Sequence, residues 1–272
     1  MKFIVHRSTG TDSGSNVYVS TNCQDDYDDI RFTNSSNQLL DYWIESSDSS
    51  SATIWVEADS LASGNTTLYL YYGNSSETTA VSNGENTFEF FDGFEGSNLS
   101  SAKWTVSSGF PSVASNILSL PNSTTIIYSN LSFSSPCILE TRSTEATGNS
   151  RAIQGFSNSS DWNDMICWED YELSGFWYHK TETKKATVKT LYDYTPVSGY
   201  LKHKIERIND SLVNFYKNNS LVRAHTTNIN TGALVIKLYG GTGASGLNFD
   251  WIFVRKYTSS EPSASWGLEE SF

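Results

Sequence analysis

Cysteine, histidine and basic charge are scarce in this chain of 272 residues, and long apolar runs are missing altogether. Three cysteines, Cys23, Cys137 and Cys167, form an odd set without C-x-x-C spacing, which excludes a dense disulfide framework and a thiolate zinc site. Cys137 and Cys167 fall in the same half of the chain, where a pairing stays open. The four histidines, His6, His179, His203 and His225, are scattered without an H-E-x-x-H string, and no G-x-S-x-G is present. Zinc hydrolysis and an elbow-mounted serine nucleophile are therefore not encoded. Eighteen Lys and Arg against thirty Asp and Glu leave a net charge of −12. That balance excludes nucleic acid and anionic membrane as partners, since both require a cationic surface, and favours cations or neutral glycans. No 18-residue apolar run exists to span a membrane, and Met1 to Val5 is too short for a signal peptide.

What the chain does contain is Ser, Thr and aromatic residues. Aromatics reach 14% while charged residues stay at 18%, and the Trp, Tyr and Phe recur in short runs broken by Gly, Asn and Ser. That pattern predicts all-β structure, and no helical stripe longer than two turns interrupts it. The length suits two domains. Asn83-Gly84 is a strong turn signal, so a connector ends near Asn86 and a new core begins at Phe88-Glu89-Phe90-Phe91-Asp92-Gly93-Phe94-Glu95-Gly96. The expected division is a small module over 1–86 and a larger one over 87–272. Nine N-x-S/T sequons, slightly more than chance gives in so Ser- and Thr-rich a chain, point to an exported glycoprotein whose signal lies outside this stretch.

In the first module, Lys2 to Arg7, Val17 to Val19, Ile30 to Phe32, Leu39 to Glu45, Thr53 to Glu57 and Thr67 to Gly73 read as strands. Asp25-Asp26-Tyr27-Asp28-Asp29 offers four carboxylates, either to calcium or to Arg31 from a solvated loop. Asp28-Asp29-Ile30-Arg31-Phe32, Leu39-Leu40-Asp41-Tyr42-Trp43-Ile44-Glu45, Ile54-Trp55-Val56 and Leu70-Tyr71-Tyr72-Gly73-Asn74 together resemble the domain-of-unknown-function family numbered 2341. The resemblance covers roughly residues 1 to 86. It implies a β-sandwich in a large surface or secreted protein and no particular reaction.

The second module reads as a series of hairpins, with turns at Asn116, Gly148-Asn149, Asn209-Asp210 and Asn218-Asn219. Its first motif, Phe91-Asp92-Gly93-Phe94-Glu95-Gly96 with Trp104, and its last, Asp250-Trp251-Ile252-Phe253-Val254-Arg255, make it similar to concanavalin A-like jelly-roll sandwiches. These include laminin-G-type and pentraxin-type binding domains and glycoside hydrolase family 16. In the hydrolases a calcium ion often bridges the first and last strands. The resemblance thus implies a structural calcium at Asp92 and Asp250, although Gly93 stands where an acidic residue is common. The other reading of Asp250 is a partner for Arg255 or Lys256. The hydrolases also carry E-x-D-x-x-E on one strand face, and this chain has no such string. Glu140 with Glu145 and Glu169 with Glu172 would face opposite sides of a strand, and Asp170 with Glu172 lacks a third carboxylate.

Binding is therefore the expected activity. Asp161-Trp162-Asn163-Asp164, Trp168, Trp177 and Tyr178 form the densest aromatic patch beside amides and carboxylates. Exposed rings suit the apolar face of a sugar, and amides and carboxylates suit its hydroxyl rim. The combined expectation is a non-catalytic, cell-surface, lectin-like module that recognises a glycan or another surface polymer. A self-assembling surface subunit and a glycoside hydrolase are the alternatives.

Overall fold

A computed structural model describes residues 1–58, 65–121, 124–146, 151–173, 176–241 and 246–270, with the side chains of 171–173, 176 and 177 left aside. Strand follows strand. The first strands are β1 (Lys2–His6), β2 (Asn16–Tyr18), β3 (Arg31–Asn34), β4 (Leu39–Leu40), β5 (Tyr42–Ser47), β6 (Ser51–Val56) and β7 (Leu68–Tyr71). One helical turn, α1 (Gly84–Thr87), is capped by Asn83, whose side chain accepts from the Asn86 amide. Then come β8 (Phe90–Asp92), β9 (Trp104–Ser108), β10 (Ser112–Ala114), β11 (Ile117–Leu120), β12 (Ile126–Phe133), β13 (Cys137–Ser143) and β14 (Ala152–Ser157). The last are β15 (Met165–Leu173), β16 (Phe176–Lys185), β17 (Val188–Asp193), β18 (Leu201–Asn209), β19 (Leu212–Lys217), β20 (Ser220–His225), β21 (Leu234–Tyr239) and β22 (Leu247–Lys256).

The chain divides into two compact units, 1–88 together with 258–272, and 89–257. In the first, the sheets run β2-β1-β6-β5 and β4-β3-β7. Phe3, Val5, Ile30, Phe32, Tyr42 and Ile54 are buried between them. The C-terminal segment belongs to this unit and not, as expected, to the larger module. Trp266 packs edge-on against Phe3 at 5.3 Å and donates from Nε1 to the Gly14 carbonyl at 3.0 Å.

The second unit is a sandwich of two antiparallel sheets, ordered β10-β11-β22-β13-β18-β19-β20, with β8 also on β22, and β17-β16-β15-β14-β21-β12-β9. The first and last strands of this unit pair, with Phe91 opposite Phe253. The period-2 alternation fixes which side chains enter the space between the sheets. In β18, Leu201, His203, Ile205 and Arg207 are buried while Lys202, Lys204 and Glu206 are half-exposed. In the seven-stranded sheet, Ile166 and Trp168, Ala152 and Phe156, and Leu234, Ile236 and Leu238 all join the central core. Their neighbours Met165, Cys167 and Ile153 form a separate cluster on the opposite, outward face, with Trp162 and Tyr239 against it.

Candidate functional site

Two groups of chemically capable side chains flank the seven-stranded sheet, one on each face. The inward group contains acids and histidines. Asp170 of β15 lies opposite His179 of β16 in the ladder. Its Oδ1 meets His179 Nδ1 at 2.7 Å and accepts from the Tyr194 hydroxyl at 2.7 Å, while Oδ2 accepts from the Ala146 amide at 3.0 Å. Beside it, Glu145 accepts from the Val197 amide at 2.7 Å and from Lys217 Nζ at 3.0 Å, and meets His203 Nε2 at 3.2 Å. Burial pushes the Glu145 carboxyl up, but hydrogen bonds from His203 and Val197 and the charges of His203 and Lys217 outweigh it, so its pKa lies below the ordinary value. Burial, with Asp170 and Glu145 behind it, drives the Tyr194 phenol well above its own.

Ser143 Oγ lies 3.0 Å from His203 Nδ1, so Ser143, His203 and Glu145 stand in the order of a nucleophile, base and orienting acid. Their surroundings deny them that role. Ser143 is fully buried and directs its proton to Gln154 Oε1 at 2.8 Å, away from the imidazole. Trp168 closes on His203 with ring centroids 5.1 Å apart. The space lined by Leu139, Thr141, Gln154, Trp168, His203 and Ile205 is too tight to admit a water. A buried polar network of this kind rigidifies a core.

The outward group is assembled around the loop between β14 and β15. Asn158 bridges Asp161 and Asp164 with its amide nitrogen, 3.0 Å from an oxygen of each, and Asp161 Oδ1 also accepts from the Asn163 amide at 2.9 Å. Asp164 Oδ1 accepts from the Ala186 amide at 3.0 Å, and the Asn163 carbonyl accepts from Thr187 at 3.0 Å. Those bonds fasten the loop to the β16–β17 turn, where Ala186 and Thr187 have φ of 48° and 77°. Positive φ at a β-branched residue is costly and persists where surrounding bonds over-determine it. Trp162, half-buried, lies with its ring centroid 6.0 Å from that of Tyr239 and with Lys237 Nζ 3.8 Å from its ring.

Farther across the same face, Arg151 Nε donates to Glu169 Oε1 at 2.6 Å. Glu182 of β16 is hydrogen-bonded to Glu169. Burial first, then that bond and the Glu169 charge, push its pKa up to about 7 against the pull of Lys189 and Lys184. On β15 the described outward side chains are Met165, Cys167 and Glu169, so the described part of this strand face carries one carboxylate.

The sequence-predicted residues divide accordingly. Asp161, Trp162, Asn163 and Asp164 come together in the loop. Tyr178 is half-buried on the same face, beneath Lys180 Nζ at 5.1 Å. By register it is separated from Tyr239 by β15 and β14, about 14 Å at the usual strand spacing. The side chain of Trp177 lies outside the described residues. Trp168 is 2% exposed and belongs to the core, because alternation sets it inward with Ile166 and Asp170.

Asp92 and Asp250 are engaged by different partners. A register shift between Arg142 and Ser143 turns Asp250 toward the Arg142 guanidinium, and it pairs with neither Arg255 nor Lys256. Asp92 is 4% exposed, accepting from Trp104 Nε1 at 2.6 Å and the Phe94 amide at 2.8 Å. Asp29 likewise caps its loop, accepting from the Gln24 and Gly73 amides, and Arg31 pairs with Glu77 instead of the acidic run. Among the described residues no three His, Cys, Asp or Glu converge as metal ligands. Cys137 and Cys167 are buried free thiols and do not pair.

Lys237, Tyr239 and Glu182 were not read as site residues from the sequence. Their signal was faint but present: Lys237 interrupts the otherwise apolar run Leu234-Val235-Ile236-Lys237-Leu238-Tyr239 on the side that Tyr239 shares.

Residues 26–107 match the family described as a domain of unknown function, DUF2341. The match starts later than the expected 1–86 and ends within β9. No curated protein matches the chain. Among solved structures, a β-1,3-glucanase from Mycobacterium marinum aligns with a TM-score of 0.51 and 13% identity, over 62% of this chain and 99% of its own. An endo-β-1,3-glucanase from Pyrococcus furiosus aligns at 0.51 and 12%, over 64% and 95%. An immunostimulatory antigen and pseudo β-1,3-glucanase of Mycobacterium tuberculosis aligns at 0.50 and 14%, over 63% and 99%. At such identities the likeness is one of fold, and the fold is the β-sandwich that glucanases use.

Proposed function

We propose that the second unit binds carbohydrate without cleaving it, through the outward face of its seven-stranded sheet, and that the protein works at the cell surface or outside the cell. The observation that carries this reading is the half-exposed Trp162 ring, paired with Tyr239 and edged by the amide and carboxylates of a tightly bonded loop. Such a platform offers the apolar wall and hydroxyl partners a pyranose requires. The kinship in fold with β-1,3-glucanases supports a β-glucan as the first polymer to try. The described residues of β15 lack the string of carboxylates that cleavage needs, which favours recognition over hydrolysis. The acidic charge and the sequons support an external setting.

The test is a glycan array probed with the protein and with Trp162→Ala and Tyr239→Ala, together with a reducing-end assay on each glycan bound. Binding to a defined sugar class that both variants lose, without release of reducing ends, is the expected result; cleavage, or binding unaffected by both variants, overturns the reading. Self-assembly is a second reading, favoured by the positions of β17 and β20 at the ends of their sheets with Val188 and Leu221 exposed. Light scattering over a concentration series distinguishes it.

A further inference from the structure

Lys237 is the least expected residue of the outward face. It is 3% exposed, in the middle of a central strand, and no carboxylate forms an ion pair with it among the described residues. Its ammonium is met by three backbone carbonyls of the β14–β15 loop, those of Asn158 at 2.9 Å, Ser159 at 3.2 Å and Asp161 at 3.0 Å. A fourth side is the Trp162 ring, with Nζ 3.8 Å from its centroid. An ammonium has three protons, and here each finds a carbonyl while the charge lies against the π face of the indole. Burial draws the Lys237 pKa below the ordinary lysine value, with the Asp161 charge opposing. Three converging carbonyls and an aromatic face are the elements of a cation site, and the chain supplies the cation from its own strand.

We propose that the Asn158, Ser159 and Asp161 carbonyls and the Trp162 ring form a cation cradle whose resident ion is the Lys237 ammonium, and that this ammonium is the positioning residue of the carbohydrate platform. This rests on the reading of Trp162 as the sugar-stacking ring. Lys237 lies against the indole and ties down the backbone on its N-terminal side, so that the part of the ring left in solvent is held in place for a pyranose. A loop carrying a sugar-binding ring on unpinned backbone would lose affinity to the ordering of that ring. The arrangement also explains why the loop carboxylates bond to Asn158, Asn163 and Ala186 while the lysine takes the carbonyls.

The cradle makes a prediction that a purely space-filling lysine does not. Lys237→Met keeps the stem and removes the charge; Lys237→Ala removes both and leaves a cavity bounded by three carbonyls and a ring. In Lys237→Met the emission of Trp162, read as the difference from a Trp162→Phe background, shifts to the red, and affinity for the glycan bound by the wild type falls at least about ten-fold. In Lys237→Ala both are restored in part by methylammonium or potassium chloride, and not by tetraethylammonium chloride at the same ionic strength, because that ion is too large for the site. Unchanged Trp162 emission in both variants, or recovery with all three salts alike, overturns the cradle. If no glycan binds the wild type but methylammonium and potassium still restore Trp162 emission in Lys237→Ala, the cradle stands and the carbohydrate reading falls. If Lys237→Met binds glycan as tightly as the wild type, the positioning role falls and the carbohydrate reading stands.

Discussion

The two faces of the seven-stranded sheet carry similar chemistry in opposite settings. Inward, Asp170, Glu145, His179 and His203 are within hydrogen-bond reach of one another's partners, and Ser143 completes an arrangement that a list of distances alone would take for a catalytic triad. Outward, Trp162, Tyr239, Lys237 and the acids of a single loop are joined by as many but slightly longer bonds. Access is the difference. The inward group is sealed by Trp168 and Gln154, whereas Trp162 and Tyr239 keep part of their surface in solvent. Short distances between reactive groups therefore mark rigidity as readily as reactivity, and exposure decides which.

That contrast fails if altering the inward face costs no stability or selectively removes binding. Trp168→Ala removes a ring packed against Tyr194, His203 and Phe215 and costs about 3–5 kcal/mol, measured by chemical denaturation. Asp170→Asn leaves His179, Tyr194 and the Ala146 amide with an altered partner, and the expected loss is about 3 kcal/mol. In both variants, glycan affinity measured well below the melting temperature stays within a few-fold of the wild type; a selective loss of binding would make the inward face functional.

Two titrations sharpen the comparison. On the inward side, burial, with Arg223 adding to it, lowers the His225 pKa to about 4, and its two nitrogens meet Thr181 and Thr183 at 2.8 Å. A histidine depressed in the folded state contributes stability above its unfolded value near 6.5 that is lost as pH falls through about 4. The loss is on the order of 3 kcal/mol and should be absent in His225→Gln. On the outward side the sign reverses. The Glu182 pKa is raised, so its contribution is complete below the unfolded value and is lost as pH rises through about 7. Glu182→Gln should therefore be more stable than the wild type at pH 8, by roughly 1–3 kcal/mol, and should gain nothing at pH 4. The smallest stability effect is expected for Trp162→Ala, under about 2 kcal/mol because the ring is only half-buried, together with the largest loss of glycan binding.

Local pattern accounts for much that was legible in advance. The hairpin at Asn218-Asn219, both at positive φ, and the pairing of the Phe90 strand with the last strand follow from turn chemistry and aromatic strand runs. The loop from Asp161 to Asp164 was legible because an aromatic flanked by acids and an amide, placed after Asn158-Ser159-Ser160, has no use in a core. Trp168 was misread although its alternation with Ile166 and Asp170 was available in the sequence. A period of two says which residues share a face, and only a neighbouring sheet says which face is inside.

The sequence by itself determined an all-β chain with a connector before Phe88, an acidic balance of charge, no zinc or thiolate motif, and a loop fit to present Trp162. Each of these depends on residues close together in the chain, where propensity and turn chemistry act. Tertiary structure alone brought Lys237 beneath Trp162, set Glu182 against Glu169, separated Asp92 from Asp250 at a register shift, and returned Trp266 to Phe3. These pairs lie between 13 and 263 positions apart, and their meeting depends on strand order and on shifts of one residue in register, which no local preference encodes.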